Sequence, residues 1–301
     1  MKKVAIVGAG ISGLYLANEL NKNTEIDYKI FEKKDYLNLN EGYGIQLSVN
    51  SINLLNKIGF KNISASDVYY PTKVNFFQAN NIKKICEIDL KQFNNVNDRY
   101  TTLKRSTLIK FLIGNIPEEK IQFKANIQNI EYNEKIKISW NNKNESFDYI
   151  VIADGVFSKL KSQISNNDLN PIFNGNIALR ANLKQHEKDN ISVYMGSNFH
   201  YVTYPVNQKL EYNFVAIIKK KLTTKEIEDK NILNSETFIK SLKDFISKNS
   251  IINLESLANI KCFPVFVSTE LPTLKYQNTY LSGDALFAFP PSFAQGASQS
   301  I

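Results

Sequence analysis

The sequence has 301 residues, 43% hydrophobic and 22% charged, enough apolar material for one large or two interlocked domains and too much for a wholly disordered chain. Its 12 glycines and 8 prolines exclude collagen-like and low-complexity architectures, and its apolar runs are too short to cross a bilayer, so a soluble, cytoplasmic protein is expected. The net charge of +8 comes largely from lysines scattered singly or in short runs such as Lys219-Lys220-Lys221, the pattern of a solvated surface and not of a nucleic-acid binder.

Two cysteines, Cys86 and Cys262, stand in no metal or redox spacing, which suits a reducing compartment. Arginine is scarce: Arg99, Arg105 and Arg180 stand among many lysines, so each is a candidate for a role that needs a planar, bidentate fork. Arg99 has no further support and reads as surface. The start, Met1-Lys2-Lys3 before Val4-Ala5-Ile6-Val7, superficially suggests a secretory signal. Three glycines break the run at once, and no small-residue cleavage site follows, so it reads as mature structure.

Val4 to Val7 is a short β-branched run ending in Gly8-Ala9-Gly10-Ile11-Ser12-Gly13, after which Leu14, Leu16, Ala17 and Leu20 recur at helical spacing. Strand, tight turn and helix in this order form a dinucleotide fingerprint. Gly8 permits the turn, Gly10 lets backbone approach a diphosphate, and Gly13 lets the helix pack on the strand; Ser12 lies on the same loop. The N–H groups and positive end of the helix face the phosphates. A second strand, Tyr28-Lys29-Ile30-Phe31, ends at Glu32, about 20 residues beyond the turn, where a carboxylate accepts hydrogen bonds from a ribose.

Further along, Gly42-Tyr43-Gly44-Ile45-Gln46-Leu47-Ser48 precedes a helix from Asn50 to Ile58, and Leu103-Lys104-Arg105-Ser106 opens another through Phe111 and Leu112. Phe147 to Ile152 is a buried-strand pattern running into Ala153-Asp154-Gly155, with Ser158 beyond it. Strand-like stretches follow at Ile177–Ala181, which carries Arg180, at His200–Val206 and at Tyr212–Ile217. Alternation places His200, Val202 and Tyr204 on one face. His186 sits in a polar stretch and reads as surface; two distant histidines without clustered ligands give no metal site. Last come Thr279-Tyr280-Leu281-Ser282, the turn Gly283-Asp284-Ala285, and Phe287-Ala288-Phe289-Pro290-Pro291 leading to Gln295-Gly296-Ala297.

The glycine fingerprint, the Asp154-Gly155 pair and the Gly283-Asp284 pair with its Pro- and Gly-containing turn resemble, in this order, the single-component FAD-dependent aromatic hydroxylases of the para-hydroxybenzoate hydroxylase type. The His200 to Val206 run resembles the salicylate and 3-hydroxybenzoate hydroxylase branch. This resemblance implies an α/β fold: a Rossmann-like FAD-binding domain (1–65, 101–165 and 275–301) interleaved with a β-sheet-rich substrate domain (66–100 and 166–274). It implies FAD as cofactor and NADH or NADPH as reductant, with no second fingerprint for a separate nicotinamide domain. Gly8, Gly10, Ser12, Gly13, Glu32, Arg105, Asp154, Gly155, Gly283, Asp284, Gly296 and Ala297 would bind cofactor, Asp284 through ribityl or ribose hydroxyls, Arg105 on the flavin, and Asp154-Gly155 serving FAD and NAD(P)H together.

The implied reaction is addition of O₂ at the flavin C4a and transfer of the distal oxygen to a small phenolic or other electron-rich ring. His200 and Tyr204 would be catalytic, His200 assisting deprotonation of the substrate hydroxyl, and Arg180, Phe289, Pro291 and Gln295 would bind substrate. Gly42 and Gly44 read either as flexible points beside the flavin or as a plain loop. Two departures stand out: Leu286 and Phe287 occupy positions where many members have His, and the final helix from Gly296 has no stop signal, which suggests a truncated chain. The rival readings are a hydroxylase of a polyprenyl-phenol in ubiquinone synthesis and a flavin-binding protein without oxygenase activity. The single Trp140 argues against a flavin halogenase.

Overall fold

Four consecutive buried residues, Val4, Ala5, Ile6 and Val7, mark a strand covered on both faces. In the computed structural model, Lys2–Val7 is the middle of a parallel sheet ordered Thr279–Leu281, Tyr149–Ile152, Lys2–Val7, Ile26–Phe31, Ile121–Gln122. The structure describes residues 1–39, 42–167, 169–183 and 189–301, with backbone only at 293; His186 lies outside them. Contacts among the described residues divide the chain into two units, Met1–Asn40 with Ser106–Ile172 and Phe266–Ile301, and Glu41–Arg105 with Phe173–Val265.

In the first unit, helix Ile11–Leu20 makes the crossover that a parallel pair of strands needs, burying Leu14 and Ala17. The buried Asn18 amide donates to the carbonyls of Leu14 (2.8 Å) and Leu112 (2.9 Å), linking this helix to Arg105–Gly114. A three-stranded antiparallel meander, Asn129–Tyr132, Ile136–Trp140 and Lys143–Phe147, buries the alternating Ile136, Ile138 and Trp140. Trp140 meets Phe31 edge-on at 4.8 Å. Its two-residue turn, Asn141-Asn142, has φ of 45° and 62°, the left-handed pair that a type I′ hairpin requires and asparagine tolerates.

The second unit is built on a sheet ordered Leu257–Val267, Ile172–Leu183, Tyr212–Lys219, Phe199–Pro205, Ile191–Met195, Lys73–Gln78, Lys84–Asp89. Phe199 and Tyr201 point to one face and join Phe214 in a core with Phe238, Leu242 and Ile246, spaced four apart on helix Glu236–Asn249. His200, Val202 and Tyr204 therefore face away from that helix. Residues 41–65, assigned from sequence to the cofactor portion, group with this unit. The reason is pairing: Gly44–Leu47 joins Thr101–Lys104, which also pairs with Val68–Tyr69. The architecture is α/β, a Rossmann-like parallel sheet unit interleaved in sequence with a sheet-rich one. No helix among the described residues is long and apolar enough to cross a membrane.

Candidate functional site

The glycine loop joins the end of Lys2–Val7 to the helix, and its three glycines answer to different constraints. Gly8 has φ +107°, and a Cβ there would stand 2.4 Å from the Ala153 carbonyl oxygen. At Gly13 a Cβ would lie 2.0 Å from the Gly8 carbonyl oxygen, so close packing of helix on loop excludes any side chain. Gly10 is different: a Cβ would meet nothing nearer than 3.9 Å, so the protein itself leaves open space above it. The Gly10 carbonyl accepts from the Leu14 N–H at 3.0 Å and starts the helix without a side-chain cap.

Glu32, 8% exposed, closes the loop from the neighbouring strand. Its carboxylate accepts from the Ala9 N–H (2.9 Å) and the Lys34 N–H (3.0 Å), one oxygen each, leaving lone pairs for a further donor. The Ser12 hydroxyl lies 2.5 Å from that of Ser282, and a Cβ on Gly283 (φ +60°) would sit 3.0 Å from Ser12, so the Gly283–Ala285 turn rests on the start of the first helix. Asp284 on that turn is exposed, as is Gly296, while Ala297 is half-buried in the short helix Gly296–Gln299. Asp154 lies one residue beyond Tyr149–Ile152, after Ala153; its Oδ1 is buried with no hydrogen-bond partner among the described residues. Burial pushes its carboxyl above the usual range. Gly155 takes φ +92°.

Phe289, Pro291 and Gln295 also belong to the first unit, in the turns after Ala285; Phe289 and Gln295 are exposed, and Phe287 and Phe289 lie 4.9 Å apart. In the second unit, half-buried Arg105 opens its helix, its N–H donating to Tyr43 at 2.9 Å. Arg99 is exposed, with its guanidinium over the Tyr70 ring.

The large sheet gathers Arg180, His200 and Tyr204 on one face. Arg180 pairs with Val215, and Val215 with Val202, so Arg180 lies two strands from His200, about 10 Å across the sheet. The Arg180 side chain makes no ion pair among the described residues and lies near the Tyr204 phenol. Burial pushes that phenol well above its usual range, with Arg180 pulling it back. Half-buried His200 is shifted the other way: burial lowers its pKa, leaving the imidazole neutral at pH 7.

Strand Gly44–Leu47 lies against this face. Asn213 on the facing strand, 1% exposed, accepts the Gly44 N–H at 2.7 Å, and the Tyr100 hydroxyl donates to Gln46 at 2.8 Å. A Cβ on Gly44 would stand 2.6 Å from the Asn213 Cβ, 2.7 Å from Val206 and 2.8 Å from the Tyr204 ring. Close packing in a strand, not flexibility, is therefore what requires glycine at 44. The described residues contain no group of three or more His, Cys, Asp or Glu fit for a metal.

The sequence profile of the family described as FAD binding domain matches residues 1–301. The chain belongs to this family. Salicylate hydroxylase of Pseudomonas putida is 22% identical over 330 residues, covering 99% of this chain and 74% of that protein. An FAD-dependent monooxygenase of Gibberella zeae is 25% identical over 170 residues, covering 54% of this chain and 36% of its own length. A monooxygenase of Emericella nidulans is 26% identical over 191 residues, 58% of this chain and 42% of that one. The chain thus spans less than half the length of these two fungal relatives. Among solved structures, Klebsiella pneumoniae HpxO complexed with FAD and uric acid has a TM-score of 0.82 at 15% identity over 99% of this chain and 77% of its own. A salicylate hydroxylase substrate complex gives 0.77 at 18% over 99% and 76%. At these identities the likeness establishes a shared fold.

The loop residues of this FAD-binding chain fit the cofactor: space is open at Gly10, closed at Gly8 and Gly13, and a buried carboxylate oxygen stands unpartnered beside them. Sequence reading did not single out Asn213, Gln46 or Tyr100. These acquire their places from strand pairing between distant segments.

Proposed function

We propose that the chain is an FAD-dependent monooxygenase that consumes NADH or NADPH and O₂ and hydroxylates a phenolic ring carrying an anionic group. The observation that carries this reading is Arg180, a half-buried guanidinium without an ion-pair partner among the described residues, on the sheet face of His200 and Tyr204. A carboxylate matches that fork, whereas a polyprenyl chain has nothing to offer it. The named homologues support the reaction class, since they are a salicylate hydroxylase and FAD-dependent monooxygenases.

Bound FAD would supply the redox chemistry, taking electrons from the nicotinamide and delivering them to dioxygen. The backbone of Gly8 to Ser12 and the N-terminus of the first helix would hold its diphosphate, and Glu32 and Asp284 its hydroxyls, with Arg105, Asp154, Gly155, Gly283, Gly296 and Ala297 as further contacts. His200, neutral at pH 7, accepts the substrate phenol proton; Tyr204 donates a hydrogen bond from a hydroxyl that does not ionise; Arg180 fixes the anionic substituent. Phe289, Pro291 and Gln295 complete the proposed substrate contacts.

The test is NADH and NADPH oxidation by FAD-loaded protein across phenolic acids and neutral prenylated phenols, with oxygenated product quantified. Hydroxylation of acids, with a KM raised at least tenfold by Arg180→Gln, is the expected result. Turnover of prenylated phenols alone would replace this reading with the polyprenyl one. FAD uptake without product from any ring would leave a flavin-binding protein.

A further inference from the structure

The sheet face that carries Arg180, His200 and Tyr204 continues past them within the second unit, and its chemistry changes along the way. Strand pairing sets Arg180, Val215, Val202, Val193, Phe76 and Cys86 opposite one another in one row that reaches the edge strand Lys84–Asp89. Beside it, on the same face, Asn182 and Asn213 stand at the Arg180 end, and Val74 and Ile88 at the other. Polar groups therefore occupy one end, His200 and Tyr204 the middle, and hydrocarbon the rest. Adjacent strands lie about 4.8 Å apart, so the three spacings from Val202 to Cys86 extend the row by about 14 Å on the side away from Arg180. That is longer than a phenolic ring. Val215, Val202, Val193 and Phe76 are each half-buried, and Cys86 is exposed. On one flank Leu90, Ile191, Tyr204 and Val206 form a buried cluster; on the other Met195, paired with His200, is 45% exposed. Apolar surface left partly in water beside a few convergent polar groups is the make-up of a ligand site.

We propose that the substrate is an amphiphile, a phenolic acid with an apolar substituent on the ring edge opposite its carboxylate, and that Val193 and Phe76 select it by binding that substituent. This inference rests on the phenolic-acid reading above. With the carboxylate on Arg180 and the hydroxyl at His200, the far edge of the ring points along the row toward Val193 and Phe76. A substituent next to the carboxylate would instead meet Asn182 and Asn213, setting hydrocarbon against amides that need hydrogen-bond partners. A second copy of the chain would also cover hydrocarbon. The row, however, is continuous with a guanidinium, and one ligand with a charged end and an apolar end matches both halves.

The experiment is isothermal titration calorimetry of the FAD-loaded protein with salicylate, 4-butylsalicylate, 4-hexylsalicylate and 6-hexylsalicylate, for wild type, Phe76→Gln and Val193→Thr. Full burial of a methylene strengthens binding about fourfold, so on this half-open row 4-hexylsalicylate should bind wild type about tenfold or more tighter than salicylate. The 4-butyl compound should fall between them, and 6-hexylsalicylate should gain nothing. Each substitution should remove most of the 4-hexyl gain and leave salicylate affinity within about twofold, since sites that share no contact add independently. Equal affinity for salicylate and 4-hexylsalicylate overturns the proposal, as does an equal gain from the 6-hexyl chain or a 4-hexyl gain that both variants keep. Sedimentation of the same proteins tests the rival occupant: a wild-type dimer that Phe76→Gln dissociates also overturns it. If neither variant folds, the chain-length and chain-position series in wild type decides. Wild type that binds none of the four acids refutes the phenolic-acid reading itself, whereas salicylate binding with no gain from a 4-alkyl chain refutes this inference alone.

Discussion

At the scale of single residues, the cradle separates glycines that the fold needs from one that the ligand needs. Gly13 cannot accept a methyl group, because the Gly8 carbonyl oxygen would lie 2.0 Å from it, and neither atom can retreat without moving the first strand or helix. Gly10 has a φ of −80°, ordinary for any L-residue, and open space where its side chain would go. Gly10→Val should therefore leave the stability of the apoprotein within about 0.5 kcal/mol of wild type while abolishing FAD uptake. Gly13→Val should cost several times that, by overpacking of about 1–3 kcal/mol or more, before any cofactor is added. Differential scanning calorimetry of the two apoproteins, with flavin absorbance after reconstitution, checks both. Equal apoprotein melting of the two variants would show that the loop constraints are misassigned.

At the scale of elements, strand Gly44–Leu47 owes its place to one polar bond and one absent side chain. Asn213 is 1% exposed and accepts the Gly44 N–H, so Asn213→Leu leaves a buried donor unmet at a cost of about 1–3 kcal/mol. Gly44→Ala adds a methyl group among Asn213, Val206 and Tyr204 and should cost about 1–3 kcal/mol by overpacking. Urea denaturation should lower the midpoint in each variant with the slope unchanged; no loss in either would mean that the strand is held by its pairing with Thr101–Lys104 alone. This element also marks where the sequence stops being legible. Gly8 to Gly13 can be read because turn, helix start and second strand follow one another, and each constraint is local. The constraint on Gly44 comes from a residue 169 positions away, so the same amino acid reads as a flexible loop until the strands are paired. His200, Val202 and Tyr204 are legible as one face by alternation, but alternation does not say which face the helix Glu236–Asn249 covers. Nor does it say that Tyr204 is buried.

At the scale of the whole molecule, His200 ties stability, pH and the outcome of the proposed reaction to one imidazole. Burial lowers its pKa below the ordinary imidazole value, so the unfolded chain binds its proton more readily than the folded one. Wherever the unfolded state holds more protons, stability rises with pH, so this residue costs nothing above about pH 6.5 and destabilises progressively as pH falls through that value. His200→Ala should flatten this part of the stability profile. The same neutral imidazole is the form that accepts a phenol proton, so hydroxylation should fall on the acid side of the lowered pKa and be flat above it. Removal of a general base typically slows its step by about 10²–10⁴-fold. His200→Ala should therefore lose most hydroxylated product while still binding FAD, with electrons from NADH or NADPH diverted to hydrogen peroxide. The measurement is the ratio of hydroxylated product to peroxide, across pH 5.5 to 8, for wild type and His200→Ala with a phenolic acid that wild type hydroxylates. A ratio and pH profile unchanged by the substitution would remove His200 from the chemistry, and would leave its place on the Arg180 face as a matter of packing alone.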